Sequence, residues 1–102
     1  MNDEKIVYQR GQYIVKEVDN GHIVYNRFGK FDDYHTHIYR LETCINLIDM
    51  IYRNRVPDSP YLRVSCLRIC MDKKYLSMVE NKIAKDHNKP KYKNINKGVQ
   101  PK

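Results

Sequence analysis

The chain has 102 residues, 41% hydrophobic and 30% charged, with a formal net charge of +7. That length fits one domain able to bury a core without disulfide or metal staples, and no stretch approaches the roughly 20 apolar residues of a membrane-spanning helix. The opening Met1-Asn2-Asp3-Glu4-Lys5 lacks the basic and apolar segments of a secretory signal, and three cysteines are an odd number without small-secreted-domain spacing. A cytoplasmic protein with reduced thiols and no membrane association is expected.

The charge is unevenly spread. Residues 1–34 hold five Lys/Arg against six Asp/Glu, residues 35–72 five against four, and residues 73–102 nine against two. The excess therefore sits in the last third. Lys, Asn, Ile and Tyr abound while Ala occurs once, at Ala84, a bias that AT-rich coding produces without selection for a ligand.

The first third reads as β. Ile6-Val7-Tyr8-Gln9 is a short β-prone run ended by Arg10-Gly11, and Tyr13 to Val18 is a second. Asp19-Asn20-Gly21-His22 follows, and Asn-Gly between such runs is a strong hairpin signal because both residues tolerate positive φ. Ile23 to Phe28 is the third run. These predict a three-stranded antiparallel meander over 5–31, which needs a covering element. From Tyr34 to Asn54 apolar residues fall at 34, 38, 41, 45, 48 and 52, with Cys44 and Ile51 beside them. This spacing predicts a helix over about 37–54, capped by Asp32, Asp33 or Thr36 and ending on the basic Arg53-Asn54-Arg55.

After the break at Val56-Pro57-Asp58, Ser59 and Pro60 form an N-cap and first-turn pair. They predict a helix over about 60–70 with Leu62, Cys66, Ile69 and Cys70 on one stripe. Asp72 can cap a third helix over about 73–86, striped by Leu76, Val79 and Ile83. From His87 onward the chain is lysine-rich with two prolines and no period, which predicts a flexible tail over 87–102. There is no internal repeat. The expected class is α+β: one domain over 1–86, with the sheet packed on one helix and two more helices following.

Chemistry-bearing groups are sparse. Cys66 and Cys70 stand one helical turn apart and His35 and His37 two residues apart, but structural zinc pairs of cysteines usually sit closer, on a turn, and these thiols fall on a stripe that packs as core. Cys44 with His35 or His37 would be a nucleophile pair only if a helix terminus or a cation lowered the thiol, and Cys44 lies mid-helix. Asp32-Asp33 suits a helix start. No phosphate-binding loop, nucleophile elbow or metalloprotease motif occurs. No catalytic residue, cofactor or metal is expected, and the chain is not expected to be an enzyme. Residues 60–86 contain two helices joined at Met71-Asp72, but the turn lacks Gly, and Lys73, Lys74, Lys82 and Lys85 read as a solvated face rather than a recognition helix.

The tyrosines offer more: nine of them, with no Trp. Tyr8, Tyr13 and Tyr25 fall on the sheet with Arg10, Lys16 and Arg27 near them. Aromatic and basic residues on one sheet face can stack on bases and contact phosphates, although Tyr is also simply a good strand former.

Asn20-Gly21 before the third run, Phe28-Gly29-Lys30-Phe31 after it and the helix beyond resemble the AP2-type and integrase N-terminal (arm-type) DNA-binding domains over about residues 5–54. That resemblance implies three antiparallel strands laid in the major groove with a helix behind. Carried over, Tyr25 and Arg27 face DNA. Lys16 joins them from the second strand, with Ile14 and Val18 beside it, and Arg10 and Tyr8 extend the same face. Phe28, Val24 and Phe31 pack against Leu41, Ile45 and Ile48.

The leading expectation is therefore a small DNA-binding protein of mobile-element or integrase-like origin. Tyr8, Arg10, Lys16, Tyr25 and Arg27 would contact double-stranded DNA from the sheet, and Lys89, Lys91, Lys93 and Lys97 would attract phosphates irrespective of sequence. Two alternatives stand beside it: a protein-interaction or structural domain, self-associating or partnered without nucleic acid, and a mobile-element remnant.

Overall fold

The structure, a computed structural model, describes residues 5–88. Lys89, Lys91, Lys93 and Lys97 lie outside the described residues. Strands β1 (Lys5–Arg10), β2 (Tyr13–Val18), β3 (Gly21–Asn26) and β4 (His35–Ile38) form one antiparallel sheet in the order β1-β2-β3-β4. Helices α1 (Leu41–Tyr52), α2 (Pro60–Ile69) and α3 (Lys73–Asn88) follow. The α+β class, the antiparallel sheet and the three helices agree with the sequence; the strand number is four, not three.

Two tight turns set the register. Gly11-Gln12 joins β1 to β2, with Gly11 at φ 58° and the Tyr52 hydroxyl where a Cβ would stand. Asp19-Asn20 joins β2 to β3, and Gly21 opens β3 at φ 138°, where a Cβ would lie 3.0 Å from the Tyr39 Cα. Both positions favour glycine for conformation, and at Gly21 the nearby backbone also leaves little room.

The fourth strand corrects the expected start of the first helix. Tyr34 and Ile38 are four residues apart, a spacing that suits a helix but is also an even number, as a strand face requires. His35-Thr36-His37-Ile38 alternates: Thr36 and Ile38 are buried, while His35 and His37 are on the other face. α1 therefore begins at Leu41, not near residue 37, with Arg40 as an N-cap that makes no side-chain bond. Asp32, Asp33 and Thr36 do not cap it. Its buried face is Cys44, Leu47 and Ile48, with Leu41 and Ile51 alongside, a stripe rotated from the expected 41, 45, 48, 52. The helix ends in a Schellman turn. Asn54 takes the left-handed conformation (φ 57°), its N–H donates to the Ile51 carbonyl (3.1 Å), and the Arg55 N–H donates to that of Met50 (2.8 Å).

The later helices start as their caps suggest. The Ser59 hydroxyl accepts from the Leu62 N–H (3.4 Å) with Pro60 in the first turn, and Asp72 Oδ1 accepts from the Lys74 N–H (3.1 Å). One face of the sheet supplies Tyr13, Val15, Val24 and Ile38 to a core completed by Cys44, Leu47, Ile48, Cys66, Ile69, Cys70, Tyr75 and Val79. At the edge of β4 the Tyr61 hydroxyl of α2 donates to the His37 carbonyl (2.9 Å).

The buried side of α2 is unusually polar. Ser65 shares a hydrogen bond with Thr36 of β4 (2.9 Å), and Arg63, 5% exposed, donates from Nε to the Pro57 carbonyl (2.8 Å) and pairs with Asp86 of α3. The helix also receives Asn26 of β3, which is fully buried. Its Nδ2 donates to the Ile69 carbonyl (2.9 Å), and its Oδ1 accepts from the Phe28 N–H (3.0 Å).

Removing the Asn26 amide strands the buried Ile69 carbonyl, releases the part-buried Phe28 N–H and leaves a small void. Asn26→Ala should cost about 2–4 kcal/mol in urea unfolding; a loss below about 1 kcal/mol would contradict this role. The core also holds protons. Burial pushes the Cys44 thiol from 9.0 up to about 11 and raises the Tyr13 and Tyr75 hydroxyls well above 10.0. The stabilisation is complete below the ordinary values and is lost as pH rises through the folded ones, because the unfolded chain releases these protons first. Melting temperature should therefore fall between about pH 8 and about pH 10.5; a flat profile by circular dichroism would contradict it.

Candidate functional site

The sheet has a second face, turned away from the three helices. Gln9, Ile14, Tyr25 and His35 form one cross-strand row on it, and Ile6, Lys16, Ile23 and His37 the next. Ile14 and Ile23 are buried among these neighbours, whereas Ile6 and His37 are exposed.

The segment 27–34 folds back over one end of this face. The Asn26 N–H donates to the Tyr34 carbonyl (3.1 Å), closing the segment at its base. The Asp33 and Tyr34 N–H groups both donate to the Lys30 carbonyl (3.0 and 2.9 Å). Gly29 lies under the Tyr34 ring, where a Cβ would overlap it. This returns Phe31 to the sheet. Its ring stacks on His35 (centroids 4.5 Å, interplanar 6°) and meets Tyr25 edge-on (5.4 Å, 71°), while His35 meets His37 edge-on (5.3 Å, 78°). The His35 Nδ1–H donates to the Phe31 carbonyl (2.8 Å), since a carbonyl can only accept; this orients the ring and its tautomer. Lys16 Nζ lies 5.4 Å from the Tyr25 centroid, within cation–π range. Four aromatic rings and an ammonium thus form one surface.

Of the residues expected on a shared face, Lys16 and Tyr25 are together here, with Ile14 and Val18 on the same side. Tyr8 and Arg10 are not. The two-residue turn at Gly11-Gln12 pairs Arg10 with Tyr13, and a bulge at Val7 brings Tyr8 opposite Val15, so both sit on the helix side. Tyr8 packs on the core. Arg10 pairs with Asp49 of α1 (3.0 Å) and lies over the Tyr52 ring (4.6 Å). The hydrogen bond from Arg10, with help from Arg53, holds the Asp49 carboxyl below its usual range. Arg27 lies past the end of β3, exposed, its guanidinium 5.2 Å from the Phe28 centroid. Phe28 and Phe31 do not enter the core as expected: they are 65% and 42% exposed, because the turn at Asn26 carries the segment outward.

Phe31, His35 and His37 are additions to the expected face. The alternation in His35-Thr36-His37-Ile38 was the available signal for the two histidines; nothing local marks Phe31, whose position depends on the hydrogen bonds across 27–34.

The cysteines lie on the other side of the sheet from His35 and His37. All three are free and buried. Tyr13 Oη–H donates to Cys70 Sγ (3.7 Å), Cys66 Sγ lies 3.6 Å from the Tyr75 hydroxyl, and that hydroxyl donates to the Arg55 carbonyl (2.7 Å). A hydrogen bond between the two thiols, together with burial, raises Cys70. Among the described residues no three His, Cys, Asp or Glu side chains are placed to hold a metal ion, and no helix is long and apolar enough to cross a membrane. A polar cleft at the end of α1 holds Arg53, Arg55 and Lys82, but Arg53 is paired with Asp49 (2.9 Å) and Lys82 with Asp58 (3.4 Å).

Comparison with protein-family models, with curated proteins and with solved structures finds no match to this chain. Its functional reading rests on the face itself.

The thiol placement has a direct consequence. A thiol reagent such as Ellman's should label essentially none of the three cysteines in the native protein and all of them in denaturant. Rapid native labelling of any one would contradict their burial.

Proposed function

We propose that the chain is a non-catalytic nucleic-acid-binding domain, with DNA the leading partner, and that it binds through the open face of its sheet. The observation that carries this reading is the contact cluster of Tyr25, Phe31, His35 and His37 with Lys16 beside it. Exposed aromatic surface next to a cation is what bases and phosphates together require. The sequence beyond Asn88 adds five lysines and no acidic residue, a source of phosphate attraction irrespective of sequence; Lys89, Lys91, Lys93 and Lys97 are the residues proposed for it. Arg10 and Tyr8 drop out of the proposed contact set because they serve the α1 side. An origin in a mobile element or integrase remains part of this proposal only through the Phe28-Gly29-Lys30-Phe31 resemblance.

A second reading, a protein-interaction domain, is favoured by one observation. Tyr39 and Tyr61 are 76% and 62% exposed, and Val64, one turn beyond Tyr61 on α2, is 47% exposed. Tyr39 directly follows β4, and Tyr61 reaches the His37 carbonyl from α2. Self-association in sedimentation that Tyr61→Ala abolishes would favour it.

Fluorescence polarisation with labelled mixed-sequence DNA, both single-stranded and duplex, separates the two. Binding should weaken at least 10-fold between about 50 and about 200 mM salt. Lys16→Ala should weaken it by roughly 3-fold or more, and Val64→Ala, on the exposed side of α2, should leave it unchanged. No polarisation change at low salt would overturn the proposal.

A further inference from the structure

We propose that the open face takes single-stranded nucleic acid, with bases stacked on Phe31 and His37, and does not enter the major groove of a duplex; this rests on the nucleic-acid reading above and deepens it. Three observations carry it. The first is width. Four strands span three inter-strand gaps of about 4.8 Å, so the outer backbones stand about 14 Å apart before side chains are added. The major groove is about 12 Å wide and admits a helix or a two-stranded ribbon. β4 widens the face beyond that opening.

The second observation is relief. The segment 27–34 rises at one end of the sheet and sets Phe31 over it, stacked on His35 and against Tyr25. A raised ring obstructs the approach of a duplex; His35 covers one face of Phe31, so an unpaired base would stack on the part of the ring left exposed. Phe31 keeps 42% of its surface exposed, and Phe28 in the same segment 65%. The rings are also held in place, Phe31 through its carbonyl bond to His35 and Gly29 under Tyr34, so stacking a base on them requires little ordering.

The third is charge. Duplex binding draws most of its strength from many phosphate contacts. The described face offers Lys16, and in the adjoining segment Arg27 and Lys30 are offset by Asp32 and Asp33. These few cations give the described face little with which to hold two phosphate strands, and the lysines beyond Asn88 attract single and double strands alike. Aromatic stacking, which is open only to unpaired bases, supplies the remainder.

The test uses the full chain and labelled oligonucleotides of about 12 nucleotides, as single strands of mixed sequence and as the matching duplex. The single strand should bind at least 10-fold more tightly. Phe31→Ala should weaken it by about 10-fold, His37→Ala by a smaller factor, and Phe28→Ala, outside the stack, should be the mildest. Circular dichroism confirms that each variant is folded. If Phe31→Ala unfolds the chain, Phe31→Leu keeps the bulk without the π-face and should show the same direction. Equal or tighter duplex binding that still falls with the Phe31 and His37 variants would overturn the single-strand inference while leaving the nucleic-acid reading intact. Binding that ignores every face variant, or its absence with both forms, would overturn that reading and the inference with it.

Discussion

One buried side chain organises both faces of this protein. Asn26 ends β3 with its amide inside the core, where it donates to the last carbonyl of α2 and accepts from the N–H of Phe28. The first bond fastens the sheet to the helix layer. The second starts the turn that throws residues 27–34 outward and back over the sheet. A buried amide is costly unless its donor and acceptor are both engaged, and here each finds a backbone group that would otherwise lack one. The same residue therefore accounts for the closed side and for the shape of the open one.

The closed side is held by more than apolar packing. α2 has little amphipathic character, yet it lies at the centre of the core, because its inner face meets polar groups with matching partners: Ser65 with Thr36, Arg63 with Pro57 and Asp86, Cys66 near Tyr75, and Ile69 with Asn26. Such contacts add modest net stability, but they allow few alternative arrangements, since each mismatch would strand a buried polar group. They hold α2 to β3 and β4 and, through Arg63 and Asp86, to α3, on the side of the sheet opposite Tyr25, Phe31, His35 and His37.

Much of this was legible in the residues and some was not. The turns at Gly11 and near Asn20-Gly21, the Ser59-Pro60 start of α2 and the Asp72 start of α3 are local devices, and they appear where their chemistry places them. β4 was hidden because Tyr34 and Ile38 satisfy a helical and a strand spacing at once, so the apolar pattern ran smoothly across the strand into α1. The face of β1 was misassigned through parity: a two-residue turn puts Arg10 opposite Tyr13, and that inverts the side of every β1 residue near it. The outward course of Phe28 and Phe31 depends on Asn26 reaching Ile69, a partner 43 residues away. Long-range polar pairings of this kind leave no periodic trace, so Phe31 needed the fold; Lys16 and Tyr25 could be read, and the alternation around His35 and His37 was present but masked by the helical spacing.

The helix-free side of the sheet is the proposed binding surface. Amide and aromatic chemical-shift mapping during titration with a short single-stranded oligonucleotide tests it most directly. The largest changes should fall at Lys16, Tyr25, Phe31, His35 and His37, with α2 and α3 little affected. Changes concentrated around Tyr39, Tyr61 and Val64, or absent from the sheet altogether, would contradict it.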